Sequence, residues 1–368
     1  MKTNNTYKIA ASFVAIMILS VSAFSQVMEL NKTIKKSFKI LPESNVQISN
    51  KYGNIHIVPT ETDSVRFEIE IKVTDKQAEK ATKLLNGIDV QFNNSPYYII
   101  AKTVFADYKG SVWSNISDMA STAISGGNKV EINWVVYIPE STELKIENKF
   151  GSIYTTNHTG KFSIDLSNGD FQANNLSGDT KLKMAFGKAH LNTLLNATLD
   201  LNYIELDLKN AIKLDVLSKS SEVRMPSINE MYLNSRRDNY IIDSINTIKG
   251  ETNFSTIKFR KTIKDVMLNV KYGNLSFDEL SINLKYFNII SAYADIYITV
   301  NKEFSGKVDI TYRKSILALP DIFNALSKTL SNTETQEYNS KGIVGPEKPD
   351  STDFKLNLNQ GSLSVGIR

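Results

Sequence analysis

The chain has 368 residues, with 43 Lys plus Arg, 39 Asp plus Glu, 3 His and no Cys. The missing cysteines exclude disulfides, a thiol nucleophile and the thiol that bacterial lipid attachment requires, and the near balance of charge argues against nucleic acid as a partner. Stability must come from packing and hydrogen bonds, and the length suffices for a large core in one extended domain or two compact ones.

Residues 1–25 read as a secretory signal peptide. MKTNNTYK carries two lysines and no acid, the apolar run IAASFVAIMILSVSAF follows, and Ala23 and Ser25 stand where a signal peptidase reads small residues. That run is shorter than the roughly 20 residues a spanning helix needs. Cleavage before Gln26 removes Lys2 and Lys8 and leaves 41 basic residues against 39 acids, a net charge of about +2. An exported chain is expected, periplasmic or at the cell surface and not membrane-spanning after cleavage.

Residues 26–142 are expected to hold a first rung, further strands, a helix and a loop insertion. VQISNKYGNIHIVPT alternates apolar and polar residues through Val46, Ile48, Ile55 and Ile57, with a corner at Gly53. DKQAEKATKLLNG, residues 75–87, has helix formers, an acid at its start and Gly at its end, which predicts a short helix that caps an open end of the sheet. Residues 105–128 contain Ser, Asn and Gly without a period and predict a long loop.

Residues 143–312 carry a ladder. The first apolar residue after each corner falls at Ile153, Phe171, Ala189, Leu206, Val223, Tyr240, Ile257 and Leu275, at steps of 17 or 18. Seven residues before these anchors stand Ile146, Ile164, Leu182, Leu199, Val216, Leu233, Gly250 and Leu268. Each repeat therefore holds two short alternating strands, and Gly151, Gly169, Gly187 and Gly273 mark the corner between them, where glycine accepts positive φ. So short a period with two strands is too small for a propeller blade and fits stacked rungs that bury one another's apolar face. The predicted fold is all-β, a single-stranded parallel β-helix (β-solenoid) of 17–18-residue repeats, right-handed by the general rule for parallel connections. Its register is lost between 281 and 311. Residues 313–353, which include SILALPDIFNALSKTL, predict a helix after Pro320 and a polar tail, and FKLNLNQGSLSVGIR, residues 354–368, predicts a terminal rung.

Little of this carries chemistry. His56, His158 and His190 lie in different rungs without a paired acid at ligand spacing, so they read as surface or corner histidines and neither a metal nor a catalytic triad is expected. Calcium-binding β-roll repeats are approached only at Asn168-Gly169-Asp170. Asp165, Asp200, Asp207 and Asp215 face outward but occupy three different frame positions, not a catalytic carboxylate pair. The corner is the more informative surface. Lys149, Lys219, Arg236 and Lys271 stand in one column and Phe150, Tyr203, Arg237 and Tyr272 in the next. If both columns face water they make a strip of cations beside rings, suited to sugar rings or anionic head groups. The simpler expectation is that the rings turn inward to fill the corner.

The signal peptide, the rungs Asn50–Ile55 (NKYGNI) and Asn148–Ile153 (NKFGSI), and the many Gly or Asn corners resemble bacterial envelope β-strand-repeat proteins of unknown function, relatives of the autotransporter adhesin-like "adhesin-head" domains. That resemblance implies a single-stranded β-helix and an exported, non-enzymatic role, and it supplies no catalytic residues. Taken together, the expectation is a non-catalytic adhesin-like or scaffold module without cofactor, whose partner is an envelope glycan, another surface polymer or an envelope protein. The alternatives are a periplasmic sensor or envelope-stress partner and a polysaccharide-active β-helix enzyme.

Overall fold

The structure, a computed structural model, describes residues 28–106, 129–346 and 351–368. The signal-peptide reading and nearly all of the loop read at 105–128 lie outside them. Among the described residues the fold is all-β, with 21 strands joined in one sheet. Its described residues divide into two compact units, the smaller from segments within 1–33, 70–89 and 105–131 and the larger from 34–69, 90–104 and 132–368.

In the smaller unit the helix expected over 75–87 runs from Ala78 to Asn86 and buries Ala81 and Leu84 on one face. The Asp75 carboxylate accepts the Gln77 N–H at 2.8 Å just before it, and the Gly87 N–H closes its end on the Lys83 and Leu84 carbonyls. Among the described residues no helix is long and apolar enough to cross a membrane.

In the larger unit the alternating segments pair in parallel with residues well separated along the chain. Leu144 lies beside Val46 on one side and Phe162 on the other, and Ile146 beside Ile48 and Ile164. Further along, Leu206 pairs with Val223, Val223 with Tyr240, Tyr240 with Ile257 and Ile257 with Leu275. All eight anchor residues are buried. Identical positions therefore stack on one another, as in the rings of Phe259 and Phe277, whose centroids are 4.9 Å apart and nearly parallel. Alternation along each strand sends the intervening polar residues to water.

Two features of the C-terminal half were not legible in the period. Leu275 pairs with Ile296 rather than with a residue 17 or 18 further on, because a turn at residues 281–285 lengthens the connection. The next partner of Ile296 is Leu363. The C-terminal strand Thr352–Ile367 lies between Tyr286–Val300 and Gly306–Ala318 and is parallel to both. Phe354 stacks on Phe287 there at 4.8 Å.

The helix expected after Pro320 is corrected. Only Asp321–Phe323 forms a single 3-10 turn, after which Ser327–Asn332 and Glu337–Val344 make an antiparallel hairpin. Glu337–Val344 pairs antiparallel with Gly306–Ala318. Without it that strand would leave a row of backbone N–H and C=O groups unpaired, and this requirement overrides the local helix propensity.

Candidate binding surface

The corner differs from its sequence reading in one respect that shapes the whole surface. Positive φ belongs not to Gly151, Gly169, Gly187 and Gly273 but to the residue before each: Phe150 (59°), Asn168 (57°), Phe186 (59°) and Tyr272 (52°). The same holds where no glycine follows, at Tyr203, Ser220, Arg237 and Phe254. A left-handed residue turns the chain while keeping its own N–H in the ladder. The Phe150 N–H donates to the Ser167 carbonyl at 2.9 Å, Arg237 to Asn253 at 2.9 Å and Tyr272 to Ala292 at 3.0 Å. At the glycine-bearing corners the next position is short of space, since a Cβ on Gly151 would fall on the carbonyl oxygen of Gly53, and one on Gly169 on that of Gly151.

Buried polar groups lock the turn. The Asn148 amide donates to the carbonyls of Gly53 at 3.0 Å and Gly151 at 2.8 Å, and the Asn50 amide to Ile132 at 3.0 Å. This explains the asparagine that opens NKYG and NKFG. Where Asp238 replaces the glycine, its carboxylate accepts Ser218 Oγ at 2.7 Å, Ser235 Oγ at 2.6 Å and the Ser221 N–H at 2.7 Å.

The inward reading of the corner rings is also corrected. Phe150, Phe186, Tyr203, Phe254, Tyr272 and Tyr293 are 37–55% exposed. In the left-handed conformation the side chain leaves the corner on its convex side, so the core is filled by the anchors instead. The rings stack on one another: Tyr52 on Phe150 at 5.6 Å, Phe186 on Tyr203 at 5.0 Å, Phe254 on Tyr272 and Tyr272 on Tyr293 at 4.9 Å each. Asn168 interrupts the line once, and Ser220 with Arg237 interrupt it again. Beside it run the cations. Lys149 pairs across strands with Lys51, Lys219 with Arg236, and Lys271 follows after Asn253. Lys149, Arg236, Arg237 and Lys271 are exposed and Lys219 half-buried. All eight residues of the sequence-derived strip thus lie on one corner.

A second feature, not foreseen, is a groove of about 880 Å³ on an adjacent face, lined among others by Tyr154, Gln172, Asn192, Lys209, Arg224 and Arg260. Its charges largely satisfy one another, with His190 Nδ1 3.3 Å from Asp207 and Arg260 Nε 3.2 Å from Asp243. Its lining comes from the residues one and three past the anchors, which alternation turns to water.

The histidines fare unequally. His56 is exposed and stacks on Tyr154 at 4.7 Å. His190 does have an acid beside it, one strand over, which a linear spacing search misses. His158 is neither surface nor corner: it is buried, its Nε2 lies 2.8 Å from the Thr142 carbonyl, and burial lowers its pKa to about 4. Among the described residues no three His, Asp or Glu side chains converge as a metal site would require.

No protein-family model and no curated protein matches the chain. Among solved structures it is similar to a candidate cell adhesion protein from Clostridium sporogenes, at 12% identity over 92% of this chain and 100% of that one, with a TM-score of 0.17. It is also similar to a candidate adhesin from Parabacteroides distasonis, at 12% identity over 73% and 92% of the two chains and a TM-score of 0.26. A candidate lipid-binding protein from Parabacteroides distasonis gives 12% identity, 73% and 90% coverage and a TM-score of 0.28. At these scores the likeness assigns no residue roles to this chain.

Proposed function

We propose that this chain is an exported, non-catalytic β-solenoid of the bacterial cell envelope, an adhesin-like or scaffold module that binds an extended surface polymer or an envelope protein. The parallel registers and the stacking of identical core positions support the solenoid. The observation that carries binding is the line of exposed aromatic rings at positive φ. A non-glycine residue in the left-handed region costs about 1–2 kcal/mol, and exposed rings forgo the stabilisation of burial. Folding alone would be served as well by Asn or Gly at these corners, so three stacked groups of rings along one corner suit contact with a partner.

The test is binding of the purified protein to isolated envelope material, compared with a Phe186→Ser/Tyr203→Ser variant of unchanged melting temperature. Loss of binding in the variant is expected, and equal binding would remove the corner as the site. Protease treatment of intact cells separates surface from periplasm: digestion before the outer membrane is opened points to adhesion or surface scaffolding, protection to an envelope partner inside.

A further inference from the structure

We propose that the corner strip is a site for a linear anionic polysaccharide, one bearing carboxylate or phosphate groups along its length. The proposal rests on the reading of the corner as the binding surface and adds the chemistry of what lies there. Three observations carry it.

The strip has a single sign on a chain that is close to neutral. No residue at positive φ is acidic, and none of the residues immediately before them is either. Lys149, Lys219, Arg236, Arg237 and Lys271 form no ion pair among the described residues. One position beyond these corners the acid is Asp238, buried and hydrogen-bonded to Ser218, Ser221 and Ser235, and two positions beyond stand Asp170, Glu205, Glu222 and Asp295, of which Glu205 is taken by Lys188 at 2.6 Å and Glu222 by Arg224 at 3.0 Å.

The rings add to that sign. An aromatic ring is negative on its face and positive at its edge. Because Phe186 and Tyr203, and Phe254, Tyr272 and Tyr293, lie face to face at 7–11°, their negative faces are turned onto one another and their edges toward water. Such a line offers few faces for stacking a neutral sugar. Oxygen-rich and anionic groups meet positive edges and cations instead.

The geometry is linear. Successive strands place one corner residue about every 4.8 Å, a spacing close to the length one sugar adds to an extended glycan. A straight row one or two side chains wide matches a single polymer chain.

The experiment uses the whole protein with polygalacturonate as the anionic probe, dextran as the neutral one and phosphatidylglycerol vesicles as the lipid one. Polygalacturonate should bind, weaken as salt is raised, and lose roughly tenfold or more in affinity when Lys149, Lys219, Arg236, Arg237 and Lys271 are all replaced by Ser. Replacing Lys209 and Arg260 in the groove by Ser, neither of which holds an acid beside the strip, should leave it unchanged. An equal loss in both variants would reduce the effect to net charge and overturn the proposal. Equal, salt-insensitive binding of dextran would overturn it too, while leaving the corner as a binding surface. Preference for vesicles over polygalacturonate would assign the strip to lipid, and no binding of polygalacturonate at all would also end it. The Phe186→Ser/Tyr203→Ser comparison on envelope material decides the underlying reading separately.

Discussion

Adjacent corner residues obey opposite rules, and this can be measured. Ser220 has φ of 52°, so Ser220→Gly removes left-handed strain at the expense of extra unfolded-state entropy and should stabilise by roughly 0.5–1 kcal/mol. Gly169 is not at positive φ, and its Cβ would meet the Gly151 carbonyl oxygen. Gly169→Ala should therefore destabilise by about 1–3 kcal/mol, the usual cost of overpacking. Denaturant midpoints of the two variants check the pair, and a loss at Ser220 with no loss at Gly169 would mean that neither left-handed strain at the first position nor space at the second decides the corner. His158 gives a second handle at the residue scale. Its folded pKa, about 4, lies below the ordinary 6.5 because burial disfavours the imidazolium. The unfolded chain then binds the extra proton first, so the neutral imidazole's contribution is complete above pH 6.5 and is lost as pH falls toward 4. That shift corresponds to about 3 kcal/mol. Melting curves across this window should show a fall in stability that His158→Gln flattens, and an unchanged slope in the variant would show that another group is responsible.

At the scale of elements, what the sequence disclosed follows from where each signal resides. Alternation of Leu144, Ile146 and Ile153 is a property of neighbours along the chain, and the buried columns could be read directly. The corner strip was legible as two columns of residue types, but the direction of its rings depends on a backbone angle that composition does not reveal at Phe150 or Tyr272. Partners chosen from afar are beyond any period, and the C-terminal strand is the clearest instance. It supplies Phe354, Leu356, Leu358, Leu363 and Val365 to the core between two strands whose paired positions precede it by 67 and 46 residues. The helix-like run after Pro320 misled for the same reason, since the open edge of Gly306–Ala318 decides its structure. Removal of residues 352–368 should consequently expose both flanking strands at once. Hydrogen exchange is expected to show Tyr286–Val300 and Gly306–Ala318 losing protection together while Glu222–Arg236 keeps it. Protection retained in Gly306–Ala318 would mean that its hairpin suffices to hold it.

For the whole molecule the consequence of such pairing is that stability is distributed. Within the ladder from Glu143 to Leu280 strands pair with equivalent strands one repeat away, as Leu144 does with Val46 and Phe162 and Val223 with Leu206 and Tyr240. Where stability is a sum of local and nearest-neighbour interactions, damage at one place should spread only as far as those couplings carry it. Leu199 is fully buried, and Leu199→Asp would place a carboxylate among apolar neighbours, at a cost of several kcal/mol unless it is protonated. The expected result is loss of hydrogen-exchange protection centred on the strands that stack against residue 199, with Thr256–Lys271 and Tyr286–Val300 largely protected. Two calorimetric transitions should replace one. A single cooperative unfolding of every strand would instead mean that the couplings between neighbours exceed the cost of the buried charge. The ladder would then behave as one rigid rod, and a ligand lying along the corner would feel damage anywhere in it.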